Sequence, residues 1–220
     1  MKKAKAAMTH HDEAREARNG HNSHNGKTPK ARTSSRAQRS SSLNPQWLRD
    51  FLSEMLAVEK GGVKLYQKAL DELTHPEYED KLNEFLRQTE RHVELCTGML
   101  TATGADADYQ SPGAKAADHK AEGLISTQVP AEMIDLNNIE NLVLAETKDH
   151  WNWDMLAAVA RKIEDAELKR IALKAIGEVR KQEKLHLDWN EKTLSTLARE
   201  SAIKAPNEAA HESDADAYSR

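Results

Sequence analysis

The sequence predicts an all-α protein, an antiparallel four-helix bundle, and three observations lead to it. Ala, Leu, Glu and Lys are abundant, while the 220 residues include only 2 Phe and 9 Gly, a composition that leans towards helix. Four long segments repeat apolar residues at intervals of three and four. Residues 105–132, with Pro112, Gly113 and Pro130, form a long connection between the second and third segments. A bundle needs such a crossover when those two helices run parallel and the chain must return along its full length.

Asn44 is a suitable N-cap and Pro45 a suitable first residue for the first helix, whose apolar seam is Leu48, Leu52, Met55, Val63, Tyr66, Leu70 and Leu73. His75-Pro76 turns the chain into the second helix, with Leu82, Phe85, Leu86, Val93, Cys96, Met99 and Leu100, ending near Gly104. The crossover has room for a short helix near Ala114–Leu124. The third helix starts at or a little before Asn137 and carries Ile139, Leu142, Val143, Trp153, Leu156 and Ala160. A turn near Asp165 opens the fourth, with Leu168, Ile171, Ala172, Ala175, Val179, Trp189, Leu194 and Leu197. The bundle is thus expected over residues 45–200, between a disordered arm (1–44) and a flexible acidic tail (201–220).

Charge divides along the same line. Residues 1–44 hold ten Lys/Arg against Asp12, Glu13 and Glu16, a net of +7, and the rest holds 22 against 33, a net of −11. Such an arm lacks the apolar side chains that would offset its ordering entropy. Counterion release would let it meet nucleic acid, but it has no interleaved aromatics. No apolar run nears the ~20 residues of a membrane helix, and MKKAKAAMTHH has no apolar stretch of the secretory kind. Cys96 is the single cysteine, which excludes an intrachain disulfide and favours a reducing, cytoplasmic setting.

Each apolar seam is interrupted by polar residues near its middle: Glu59 in the first helix, Thr89 and His92 in the second, Glu146 in the third, Glu183 and His186 in the fourth. The spacing 143–146–150–153 keeps Glu146 inward, and Glu183 and His186 lie one turn apart on one face. Glu59 and His92 are equidistant from the His75-Pro76 turn, as Glu146 and His186 are from the Asp165 turn. Antiparallel hairpins therefore place a carboxylate beside a histidine at mid-height, twice. The hairpins also match in sequence. Glu59 with Tyr66 seven residues on parallels Glu146 with Trp153, and QTERHVE (Gln88–Glu94) parallels QEKLHLD (Gln182–Asp188), which reads as a duplication.

Burying carboxylates together costs several kcal/mol per ion unless they are paired or bind a cation. Inward Glu and Glu-x-x-His on facing helices are a known way for a bundle to hold two metals. On these residues the chain, over roughly 45–200, resembles the ferritin-like superfamily, and within it rubrerythrin-type and YciE-type stress-associated proteins. The resemblance implies Glu59, His92, Glu146, Glu183 and His186 as ligands of one or two iron or manganese ions, with O2 or peroxide as partner and self-association as a dimer. It departs at Thr89, where the family places a bridging Glu. Three carboxylates then bring −3 where four would neutralise two divalent ions, and Glu90 would reach inward only if the helix rotated by about 100° or carried a local bulge. One metal, a weak second site and a lost site all remain open, as does whether the protein is an enzyme.

Blander roles stand beside these. Tyr66 and Trp153 suit core aromatics that hydrogen-bond the carboxylates, Cys96 a small core residue, and His150 a surface or supporting role. Gly61-Gly62 costs the first helix about 2 kcal/mol of propensity, explained by close packing or by solute access. His10, His11, His21 and His24 are incidental to the arm. The alternative to a metal protein is a non-catalytic structural or interaction bundle with a decayed site.

Overall fold

The computed structural model describes residues 43–217, with side chains over 43–203. The expected disordered arm, save Leu43 and Asn44, lies outside the described residues together with its histidines. Within the described residues there are five α-helices and no strand: α1 (Pro45–Asp71), α2 (Glu79–Ala102), α3 (Pro112–Ser126), α4 (Ile134–Val159) and α5 (Ala166–Ala217). None is long and apolar enough to cross a membrane.

Local chemistry sets the boundaries. The Asn44 side chain accepts hydrogen bonds from the backbone N–H groups of Gln46 and Trp47, which caps α1 ahead of Pro45. Gly104 takes φ +81°, the left-handed conformation that closes α2, and its N–H reaches the Thr101 carbonyl. Asp165 receives the N–H of Leu168 at 2.7 Å and so opens α5. Beyond residue 200, where a flexible tail was expected, the backbone of α5 continues as helix to Ala217 through a stretch rich in alanine.

The core comes from α1, α2, α4 and α5, with α1 against α2 and α4, and α5 against α4 and α2. The crossover contributes more than a connection. Its α3, capped by Ser111, packs along α1, and a methyl placed on Gly61 would meet the Ala121 Cβ at 2.9 Å. Gly61 thus serves this close approach, one of the two explanations its sequence position allowed. The crossover spans the bundle because α2 and α4 run the same way: the carboxyl-terminal halves of both enter one apolar cluster.

That cluster holds Leu52, Met55, Cys96, Met99, Leu156 and Val179, among others. A second, at the opposite end, holds Leu65, Tyr66, Leu82, Phe85, Leu142 and Leu197. In each of the four core helices the polar residues that interrupt the apolar seam lie between the two clusters. The bundle therefore carries a polar layer at mid-height with an apolar cluster on either side.

Candidate metal centre

Glu59, His92, Glu146, Glu183 and His186 all meet in that layer, and none is more than 4% exposed. The turn symmetry places them as expected. His92 Nδ1 lies 3.5 Å from Glu59 Oε2, and His186 Nδ1 lies 3.4 Å from Glu146 Oε1. Glu183 sits between the two imidazoles, 3.0 Å from His92 Nδ1 and 3.9 Å from His186 Nδ1. The rings lie 6.0 Å apart and 21° from parallel.

The hairpins exchange the groups that hold these side chains. Tyr66 of α1 donates its hydroxyl to Glu146 of α4 at 2.6 Å, and Trp153 of α4 donates its indole N–H to Glu59 of α1 at 2.8 Å. Likewise Gln88 of α2 accepts from His186 Nε2 at 2.8 Å, and Gln182 of α5 accepts from His92 Nε2 at 2.9 Å. An amide oxygen only accepts, so each imidazole carries a proton on Nε2 and turns Nδ1 to the carboxylates, as a lone pair when the ring is neutral and as an N–H when it is charged. Asn190 donates to the Tyr66 hydroxyl at 3.1 Å, completing that chain.

The layer has a further acid. Asp149, 5% exposed on α4, points inward one turn beyond Glu146. The buried stripe of α4 is 142–146–149–153–156, one residue off the 143–146–150–153 spacing, so Asp149 takes the inward place that the spacing gave His150. His150 is half-buried outside the layer, 3.7 Å from Asp154. Gln88, Gln182 and Asn190 also went unassigned in the sequence, although a Gln four residues before each His is repeated in both hairpins.

Thr89 is buried, but its hydroxyl donates to the Phe85 carbonyl of its own helix at 3.0 Å, and its methyl packs against Gly62. Glu90 is exposed on an unbroken α2 and does not replace it. Cys96 belongs to the apolar cluster, where burial pushes its thiol well above the usual range.

Electrostatics in the layer are those of charges forced together. Burial and neighbouring carboxylates push Asp149 and Glu183 well above the carboxylate range. Burial works on Glu146 in the same direction, but His186 and the Tyr66 hydroxyl outweigh it and hold Glu146 low. Burial opposes the charged form of His92, yet Glu59, Gln182 and Asp149 raise its pKa to about 9. Glu183 is nearer to His92 than Glu59 is, but burial and neighbouring carboxylates disfavour its charge, so Glu59 has the larger influence on His92.

Six atoms aimed into the layer have no hydrogen-bond partner in the protein: Glu59 Oε2, His92 Nδ1, Glu146 Oε2, Asp149 Oδ1, Glu183 Oε2 and His186 Nδ1. Two groups bring one ligand atom from each residue within 4.8 Å of the others: Glu59, His92, Asp149 and Glu183, and Glu146, Glu183 and His186. Buried groups of this kind can hold a metal ion. Comparison with family models, with curated proteins and with solved structures finds no match to this chain.

Proposed function

We propose that this protein binds iron or manganese in the core of its helical bundle, as a ferritin-like protein of oxidative-stress defence in the cytoplasm. The observation that carries the reading is the aim of the donors. Both histidines are fixed through Nε2 by an amide oxygen, and both Nδ1 atoms, without a hydrogen-bond partner, face carboxylates whose outer oxygens have no protein partner either. A lone pair turned to a carboxylate repels it unless a cation or a proton lies between them. Carboxylates with imidazole and no thiolate suit Fe(II) or Mn(II).

A bound ion of this kind supplies redox chemistry towards O2 or peroxide. The protein's own contribution is placement. Gln88 and Gln182 set the imidazole tautomers, while Tyr66 and Trp153 each fix one oxygen of a carboxylate and leave the other free. The apolar clusters keep bulk water from both ends.

A second reading, a structural bundle whose polar layer is balanced by protons, is favoured by the Thr89 hydroxyl, which bonds to its own helix. A melting series with Fe(II), Mn(II) and Zn(II) separates the two. Metal is expected to raise the melting temperature of the wild type and to do little for Glu183→Ala. A wild type indifferent to all three metals defeats the metal reading and leaves the structural one.

A further inference from the structure

Resting on the metal reading above, we infer that the centre has two unequal ion positions sharing Glu183: a tight one formed by Glu59, His92, Asp149 and Glu183, and a weaker, exchangeable one formed by Glu146, Glu183 and His186. The inequality comes from where the duplication fails. Glu59 matches Glu146, His92 matches His186, Trp153 matches Tyr66 and Gln182 matches Gln88. At the next turn inward the match breaks. The second hairpin has Asp149 and Glu183, whereas the first has Gly62 and Thr89 at the corresponding places.

Gly62 and the Thr89 methyl pack together, with 3.3 Å left for a methyl added to the glycine, so the first hairpin offers no carboxylate there. Asp149 restores the number. Glu59, Glu146, Asp149 and Glu183 together bring −4, the charge that neutralises two divalent ions. Its reach is one-sided, however. Asp149 groups with Glu59, His92 and Glu183 but is absent from the group of Glu146, Glu183 and His186. The tight position therefore has four protein donors, three of them carboxylates, and the weaker has three donors, two of them carboxylates.

Each position has inward-facing buried atoms without a protein partner: Glu59 Oε2, His92 Nδ1 and Asp149 Oδ1 in one, Glu146 Oε2 and His186 Nδ1 in the other. With fewer protein donors, the weaker position leaves more of its coordination shell to solvent or a small oxygen-donor ligand. Exchange of ions and access of exogenous ligand belong to that position.

The test is equilibrium titration of the full chain with Mn(II), followed by calorimetry and by metal analysis at fixed free Mn(II). Wild type is expected to take two ions in two separated steps. Loss of an outer partner costs about 10–100-fold, so loss of a ligand in Asp149→Asn should weaken the tighter step by roughly 100-fold or more and spare the weaker, and Glu146→Gln should do the reverse. Both variants replace a buried carboxyl by an amide of the same shape, and melting in chelator checks that each stays folded. Asp149→Asn with both steps unchanged overturns the inference, as do two equal steps in the wild type. A wild type holding a single ion also overturns it while leaving metal binding itself intact. No ion at all in a folded wild type removes both.

Discussion

The side-chain carbonyl of Gln182 stands 2.9 Å from Nε2 of His92 and accepts its proton, which turns the other ring nitrogen to Glu59 and Glu183. Gln88 does the same for His186 in the reverse direction between the same two helices, α2 and α5. Two copies of a Gln-x-x-x-His pattern thus hold one another's histidines, and neither hairpin builds the centre alone.

Loss of that grip is expected to cost metal affinity without removing a ligand. Gln182→Ala should weaken Mn(II) binding by about 10–100-fold, with the stronger effect on the step that uses His92. Calorimetry on the variant checks this. Affinity equal to wild type would show that the amide orients nothing of consequence.

The pH dependence of stability should reverse on metal loading. In chelator, His92 contributes stability that is full below its ordinary value of 6.5 and is lost as pH rises through about 9. Asp149 and Glu183, also raised, act in the same direction from the carboxylate range upward. Melting temperature in chelator should therefore fall between pH 6 and 9. With Mn(II) present it should hold or rise over that range, because the ion displaces protons and binds better as they leave. Thermal scans in parallel buffers give the comparison, and a metal-insensitive profile would argue for a layer balanced by protons alone.

A separate acid-side term lies far from the centre. Asp135, at the start of α4, accepts hydrogen bonds from the backbone N–H and hydroxyl of Thr74 and pairs with His75. Burial works against its charge, but those partners hold its carboxyl below the usual range. The stability it adds is present above its unfolded value near 4 and is lost as pH falls through its lower folded value. Asp135→Asn is expected to destabilise by roughly 1–3 kcal/mol at neutral pH and by less in acid, measured by urea denaturation.

Gly61→Ala tests the packing of the crossover. Alanine gains about 1 kcal/mol of helix propensity, but its methyl would meet Ala121 at 2.9 Å, and overpacking of that kind costs about 1–3 kcal/mol. Ala121→Gly in the same chain should recover part of the loss. Denaturation midpoints of the single and double variants decide it.

Much of this was legible in the sequence. The cap at Asn44, the turns at His75-Pro76 and near Asp165 and the stop at Gly104 follow from local chemistry, and equal distance from a turn was enough to set Glu59 beside His92 and Glu146 beside His186. Asp149 was not legible, because helical periodicity of 3.6 tolerates a seam read one residue out of phase. In α4 the exposed Leu144 and the half-exposed Val143 blur the phase further. Gln88 and Gln182 were visible as a repeat, but a polar residue one turn from a histidine has no assigned role until its partner across the core is known. Packing of α3 was hidden for a similar reason: a small-residue helix such as PGAKAADHKAEGLIS carries a weak apolar stripe, and its place depends on the glycine it meets.

Replacing the carboxylate at one position by another probes the charge balance of the layer. Thr89→Glu alone would put a fifth carboxyl in a space bounded by Gly62, and it should lower melting in chelator. Combined with Asp149→Asn, it returns the count to four and should bring bound Mn(II) back towards two per chain. Metal analysis of the single and double variants checks it, and a double variant no better than Asp149→Asn would mean that the α2 position cannot reach the ions.

The most direct measurement is the metal content of wild-type protein purified without chelator and equilibrated with Fe(II) under anaerobic conditions or with Mn(II). Two ions per chain, falling to none or nearly none in Glu183→Ala, is the expected result, since Glu183 belongs to both groups of candidate ligands. A folded wild type that retains no metal under either condition would contradict a metal centre in this bundle.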